Sequence, residues 1–135
     1  MPRFLSLTAL ALLLASPALA DCQWSINRGI DSFNDGVDQQ NEAADMLNRT
    51  RQAAEAGDMI TTCSRIETAL RLLDGANDDF WVTQSQMEEA LADCNPDNSS
   101  AMQTIWDVYQ DAKSKVSEVD DWRDEVQSYA SKHCY

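Results

Sequence analysis

The chain has 135 residues, with 23 Asp and Glu against 10 Lys and Arg and a formal charge of −13. That sign repels nucleic-acid phosphates and anionic lipid headgroups, so neither is expected as a partner; basic proteins and cations stay open, and a solvated acidic surface also keeps an exported protein in solution. At this length one domain is expected, with a single core that removes roughly two-thirds of the unfolded surface from water.

Residues 1–20 have the form of a secretory signal peptide. Arg3 supplies the positive start, Phe4 to Leu14 the apolar run, and Ser16-Pro17-Ala18-Leu19-Ala20 a small-residue cleavage site. Removing them takes away one charge, Arg3, and leaves residues 21–135 as 115 residues at −14. The apolar run is too short to cross a bilayer, and no later stretch approaches the roughly 20 apolar residues a spanning helix needs, so membrane insertion is not expected. Cys22 lies close to the cleavage site, but Asp21 directly before it does not fit lipid modification. The expected location is periplasmic or secreted.

Little favours sheet. Gly contributes four residues and Pro three, and no alternating β-branched run occurs, so the chain reads as all-α. From Trp24 to Ala56 the apolar positions step by three and four through Ile26, Ile30, Phe33, Val37, Ala44, Leu47 and Ala54, a heptad stripe of coiled-coil type interrupted by Gln40 and Arg51. Asn34-Asp35-Gly36 clusters poor helix formers and is a candidate kink. Gly57 suits a helix C-terminus and Asp58 the next N-cap, which predicts a tight reversal there.

A second helix carries Met59, Cys63, Ile66, Leu70 and Leu73 and is expected to stop at Asp74-Gly75-Ala76-Asn77. A third short helix then leads through Met87 and Leu91 to Cys94, and its start could lie anywhere from Asn77 to Ser85. Asn95-Pro96-Asp97-Asn98-Ser99 ends it. Ser100 with Gln103 has the capping-box pattern for a last long helix, striped by Met102, Ile105, Tyr109, Ala112, Val116, Val119, Val126 and Ala130. The predicted architecture is a small antiparallel helical bundle, two long outer helices flanking a shorter central helical hairpin.

Cys22, Cys63, Cys94 and Cys134 form an even set in an exported chain and read as two disulfides. None are spaced as a C-x-x-C redox pair or zinc knuckle. In the four-helix arrangement, helix lengths bring Cys22 level with Cys134 at one end and Cys63 level with Cys94 nearer the other, so those pairings are expected.

Three motifs point towards chemistry. Asp31 to Glu42, DSFNDGVDQQNE, matches positions 1, 5, 6 and 12 of an EF-hand calcium loop, but Phe33 stands at a ligand position and the helical stripe runs through the segment. His133, the single histidine, could serve as an axial haem ligand in a bundle, yet the expected arrangement puts it at the end away from Met46, Met59, Met87 and Met102, and no C-x-x-C-H is present. Acidic pairs such as Glu88-Glu89 and Asp120-Asp121 lie off the apolar stripes, where nothing raises a carboxyl pKa for acid-base work. Asn48-Arg49-Thr50 and Asn98-Ser99-Ser100 match the glycosylation pattern, which matters in a eukaryotic host alone.

No catalytic residue, cofactor or metal site is therefore expected. The reading is a non-enzymatic exported module that binds protein, with a cation-binding acidic protein as the alternative. The length mismatch places the binding surface: two short helices would leave half of the long ones uncovered, as a two-helix stalk exposing Ile30, Phe33, Val116, Val119, Trp122 and Val126. A patch of that kind marks an interface, used for homodimerisation or for a basic protein partner.

Overall fold

The structure, a computed structural model, describes residues 17–135. Residues 1–16, the greater part of the expected signal peptide, lie outside the described residues; 17–20 begin the first helix. Three helices follow in order: α1 Pro17–Glu55, α2 Met59–Asp93 and α3 Ser99–His133, of 39, 35 and 35 residues. They run up, down and up, with α2 central. It packs along both neighbours, whereas α1 and α3 meet sparsely. The all-α antiparallel bundle expected from the periodicity is the fold.

The α1–α2 reversal forms where Gly57 and Asp58 predict it. Gly57 adopts φ 77°, and the amides of Gly57 and Asp58 donate to the carbonyls of Ala54 and Ala53, each at 3.0 Å. This is a Schellman ending, and the left-handed residue it needs is glycine. Asp58 then caps α2, its carboxylate accepting from the Thr61 amide at 3.0 Å and the Thr61 hydroxyl at 2.6 Å. At the second reversal Asn95 accepts from the Asp97 amide at 3.0 Å, and Asn98, not Ser100, caps α3 by accepting from the Ala101 amide at 3.1 Å. Lys132 closes α3 with positive charge near its C-terminal carbonyls.

Two expected interruptions are absent. α2 runs unbroken through Asp74-Gly75-Ala76-Asn77, so the central element is one long helix and not a hairpin, and α1 runs unbroken through Gly36. Poor helix formers at 74–77 cost about 2–3 kcal/mol in summed propensity. Against this, Leu73, Ala76 and Phe80 are wholly buried on the same face, and side chains of Leu and Phe size each stabilise by roughly 1.5–3 kcal/mol when removed from water.

The glycines serve contact between helices. On α1 the residues Cys22, Gly29, Gly36, Ala43 and Thr50 recur every seven and are all buried. They bring α1 close to the large stripe Met87, Phe80, Leu73 and Ile66 of α2. A Cβ added at Gly36 would lie 2.7 Å from the Phe80 ring, and one at Gly29 would collide with the end of the Met87 side chain. The core stacks in three layers along the bundle. Cys22, Ile26, Met87 and Ile105 form one end, Ala43, Leu73, Phe80, Val116 and Val119 the middle, and Ile66, Val126 and Ala130 the other end.

Disulfides join Cys22 to Cys94 and Cys63 to Cys134, with Cα atoms 4.7 and 5.6 Å apart. The expected Cys22–Cys134 and Cys63–Cys94 pairs are not formed, and the cause is the missing break. With α2 continuous, Cys63 and Cys94 sit at its opposite ends, and α3 carries Cys134 to the end away from Cys22. Each bridge ties an antiparallel pair at the end opposite its turn.

Candidate functional site

Because α1 and α3 both lean on α2 and scarcely on each other, an open seam runs between them with α2 as its floor. Near the Gly57 end it widens into a hollow of ≈ 420 Å³, walled by Leu47 and Arg51 of α1 and by Trp122, Glu125 and Tyr129 of α3, with Ile66 beneath. Ile66 is 2% exposed, whereas Leu47 and Trp122 are half-buried and Tyr129 is 36% exposed. A second hollow of ≈ 270 Å³ lies in the same seam near the other end, between Ile26 and Ile30 of α1 and Asn98 and Thr104 at the start of α3. The larger hollow is mainly apolar with polar residues beside it, the usual make-up of a recognition surface, whereas the smaller is polar and apolar in equal part.

The stalk expected from the sequence is not present. Val119 is wholly buried, Val116 and Val126 are 9% exposed, and Ile30, Phe33 and Trp122 are half-buried, because a full-length α2 covers both outer helices along their whole length. Phe33 meets Phe80 with ring centroids 5.5 Å apart. Of those six residues, Trp122 and Val126 line the larger hollow and Ile30 the smaller one; Phe33, Val116 and Val119 belong to the middle core layer. Leu47, Arg51 and Ala54 fall in the phase of the α1 stripe and read from sequence as core. The polar Arg51 in that phase is the one sign that this part of the stripe faces an open edge.

Several polar groups along the helices are engaged in structural bonds, although Asn77 Oδ1, Gln84 Nε2 and Gln86 Oε1 are buried without a partner. Buried Thr50, Thr62 and Thr83 donate to the carbonyls four residues earlier, at 2.7–2.9 Å. Ser25 donates to Asp93 at 3.3 Å, Asn77 to Asp120 at 3.0 Å, and Arg123 pairs with Asp74 at 3.0 Å. Gln39 donates to Asp79. Partial burial, then the nearby Asp35 carboxylate, push the Asp79 carboxyl above its ordinary value, whereas bonds from the Thr61 hydroxyl and amide hold Asp58 below it.

The EF-hand-like segment Asp31 to Glu42 is helical throughout, with Asp31, Asp35, Asp38 and Glu42 pointing to solvent and not around a loop. Among the described residues no group of three or more His, Cys, Asp or Glu is placed to hold a metal ion. His133 is exposed and lies tilted against Tyr129, ring centroids 4.4 Å apart, at the Gly57 end of the bundle. Among the described residues no helix is long and apolar enough to cross a membrane. Comparison with family models, with curated proteins and with solved structures finds no match to this chain.

Proposed function

We propose that this chain is an exported, non-enzymatic helical module, periplasmic or secreted, that acts by binding protein along the α1/α3 seam. The observation that carries the reading is the seam itself: Leu47, Trp122 and Tyr129 stand partly exposed around a hollow of ≈ 420 Å³ between α1 and α3. Apolar side chains left around an unfilled concavity gain by covering it, and aromatic anchors in a polar rim are the recurrent make-up of protein interfaces. The signal-like residues 1–20 and the two disulfides support an oxidising, exported setting.

Site-specific photo-crosslinking in the native compartment tests the reading. A photoreactive residue at Leu47 or Tyr129 should yield discrete protein adducts, and one at Glu88, exposed on α2, should not. Adducts of equal yield from all three positions, or from none, would refute it.

A further inference from the structure

We infer that the α1/α3 seam receives one amphipathic basic helix of a partner protein, its apolar ridge on the seam floor and its cationic edge along α3. This rests on the protein-binding reading above and names the partner's chemistry. The two rims of the seam differ. On α3, Glu125 lines the larger hollow, and Asp111 and Glu118 precede it at steps of seven, so the three carboxylates keep to one edge. On α1, Asn48 lines the same hollow, and Asn41, Asn34 and Asn27 precede it at steps of seven; all four are exposed. Asparagine is a poor helix former, so four of them along one edge do not serve helix stability. One rim thus carries three carboxylates, the other neutral amides with one cation, Arg51, at the larger hollow, and the surface between them is apolar through Ile30, Leu47, Ile66 and Trp122.

A helix is the element that matches this trough. The two hollows stand at the two ends of the seam, between Gln23 and Ala54 on α1, about 46 Å from end to end at 1.5 Å per residue, and α1 and α3 run parallel with α2 below them. A fourth helix laid in the groove would complete the bundle, the common helix-in-groove mode of recognition. Flanking charge then selects the occupant, as charges beside a coiled-coil seam do. Lysines or arginines towards Asp111, Glu118 and Glu125, with neutral residues towards the asparagines and Arg51, satisfy both rims. The Lys115–Glu118 pair, 2.9 Å apart and partly exposed, would exchange with such an occupant at little cost. A second copy of the chain does not fit: at −13 it would set further carboxylates, such as Asp31, Asp38 and Asp45 on the outer face of α1, beside the acidic rim.

Calorimetry on the disulfide-bonded chain with three synthetic helical peptides of about 24 residues, the span of some 36 Å, tests the inference. One has a Leu/Phe ridge flanked by Lys, one the same ridge flanked by Glu, and one the Lys flanks with Ser replacing the ridge. At low salt the first should bind at least about tenfold more tightly than either of the others. Glu118→Lys/Glu125→Lys should weaken it by about tenfold or more, and Glu67→Lys/Glu88→Lys, an equal charge change on exposed α2 positions, by no more than about twofold. Equal binding of the three peptides, or equal weakening by the two double variants, would overturn the inference, because attraction would then be unspecific. A seam-dependent dimer by sedimentation, lost in Leu47→Glu, would also overturn it. Crosslinks from Leu47 and Tyr129 to a partner segment that is not a basic helix would refute this inference and leave the protein-binding reading standing; absence of crosslinks would remove that reading itself.

Discussion

Replacing Gly36 and Gly75 by alanine separates two roles that glycine can take inside a long helix. Each substitution gains about 1 kcal/mol of helix propensity. At Gly36 the new Cβ meets Phe80 Cε1 and Cδ1 at 2.7 and 2.9 Å, and the Phe80 ring is fully buried, wedged against Phe33 and Leu73. A ring so enclosed cannot swing aside, and overpacking of this kind costs about 1–3 kcal/mol. The net expectation for Gly36→Ala is a loss of about 1 kcal/mol, within a range of roughly 0 to 2. At Gly75 the new Cβ meets the amide end of Gln39, a flexible side chain that can rotate away at the expense of its bond to Asp79. That bond is worth about 0.5–1.5 kcal/mol, so Gly75→Ala should be neutral within about half a kcal/mol. Urea unfolding followed by helical circular dichroism, disulfides intact, reads both. A Gly36→Ala midpoint above the parent's, or a Gly75→Ala midpoint below that of Gly36→Ala, would show that Gly36 is not held by contact with Phe80. Phe80→Leu placed on Gly36→Ala should recover part of the loss.

Non-reducing peptide mapping should return Cys22–Cys94 and Cys63–Cys134 peptides. Limited reductant should open Cys63–Cys134 first, because its sulfurs are half-exposed while Cys22 and Cys94 are 6% and 4% exposed. Removing either bridge as a Cys→Ser pair should cost about 4 kcal/mol, the chain-entropy value for a loop of some 70 residues, and a cost below 1 would mean that the unfolded chain is already compact. Asp79 has a folded pKa above its ordinary 3.8, so its ionisation opposes folding as pH rises through the folded value. Asp79→Asn should therefore raise the urea midpoint at pH 7 and show no gain below about pH 3; an equal gain at both would locate its effect outside the charge. Asp58 is shifted the other way, and its cap contributes stability above pH 3.8 that is lost as pH falls through the folded pKa. Asp58→Ala should lower the midpoint at pH 7 and converge on the parent in acid; a constant difference across that range would assign the effect to packing.

Gly57, Asp58, Asn95 and Pro96 told their story in sequence because turn chemistry is local: a left-handed residue, a cap and a helix stop each act within a few positions. The stripes of α1 and α3 were legible for the same reason. The continuity of α2 was not, although Ala76, Phe80, Thr83 and Met87 continue the phase of Ile66, Ala69 and Leu73 straight through Gly75. Local propensity at Asp74-Gly75-Ala76-Asn77 argues for a break, and burial contributed by two other helices overrides it. That single element decides the helix count, the disulfide pairing and the burial of Val116 and Val119, so one misread tetrapeptide displaced all three. The seam was partly visible through Trp122 and Val126. Which apolar positions face a gap depends on how far α1 and α3 stand apart, a quantity that no periodicity within one helix contains.

The two bridges make the covalent framework a pair of rings, residues 22–94 and 63–134, that share the segment 63–94. No single cut anywhere between Cys22 and Cys134 can divide such a framework. Cleavage at the exposed Gly57 turn leaves α1 attached through Cys94, and cleavage at Pro96 leaves α3 attached through Cys63. A protease would have to cut twice to free a piece, and a nicked molecule would keep its mass on a gel until thiol was added. The turns, where proteases prefer to act, thereby become the parts of this chain whose integrity matters least.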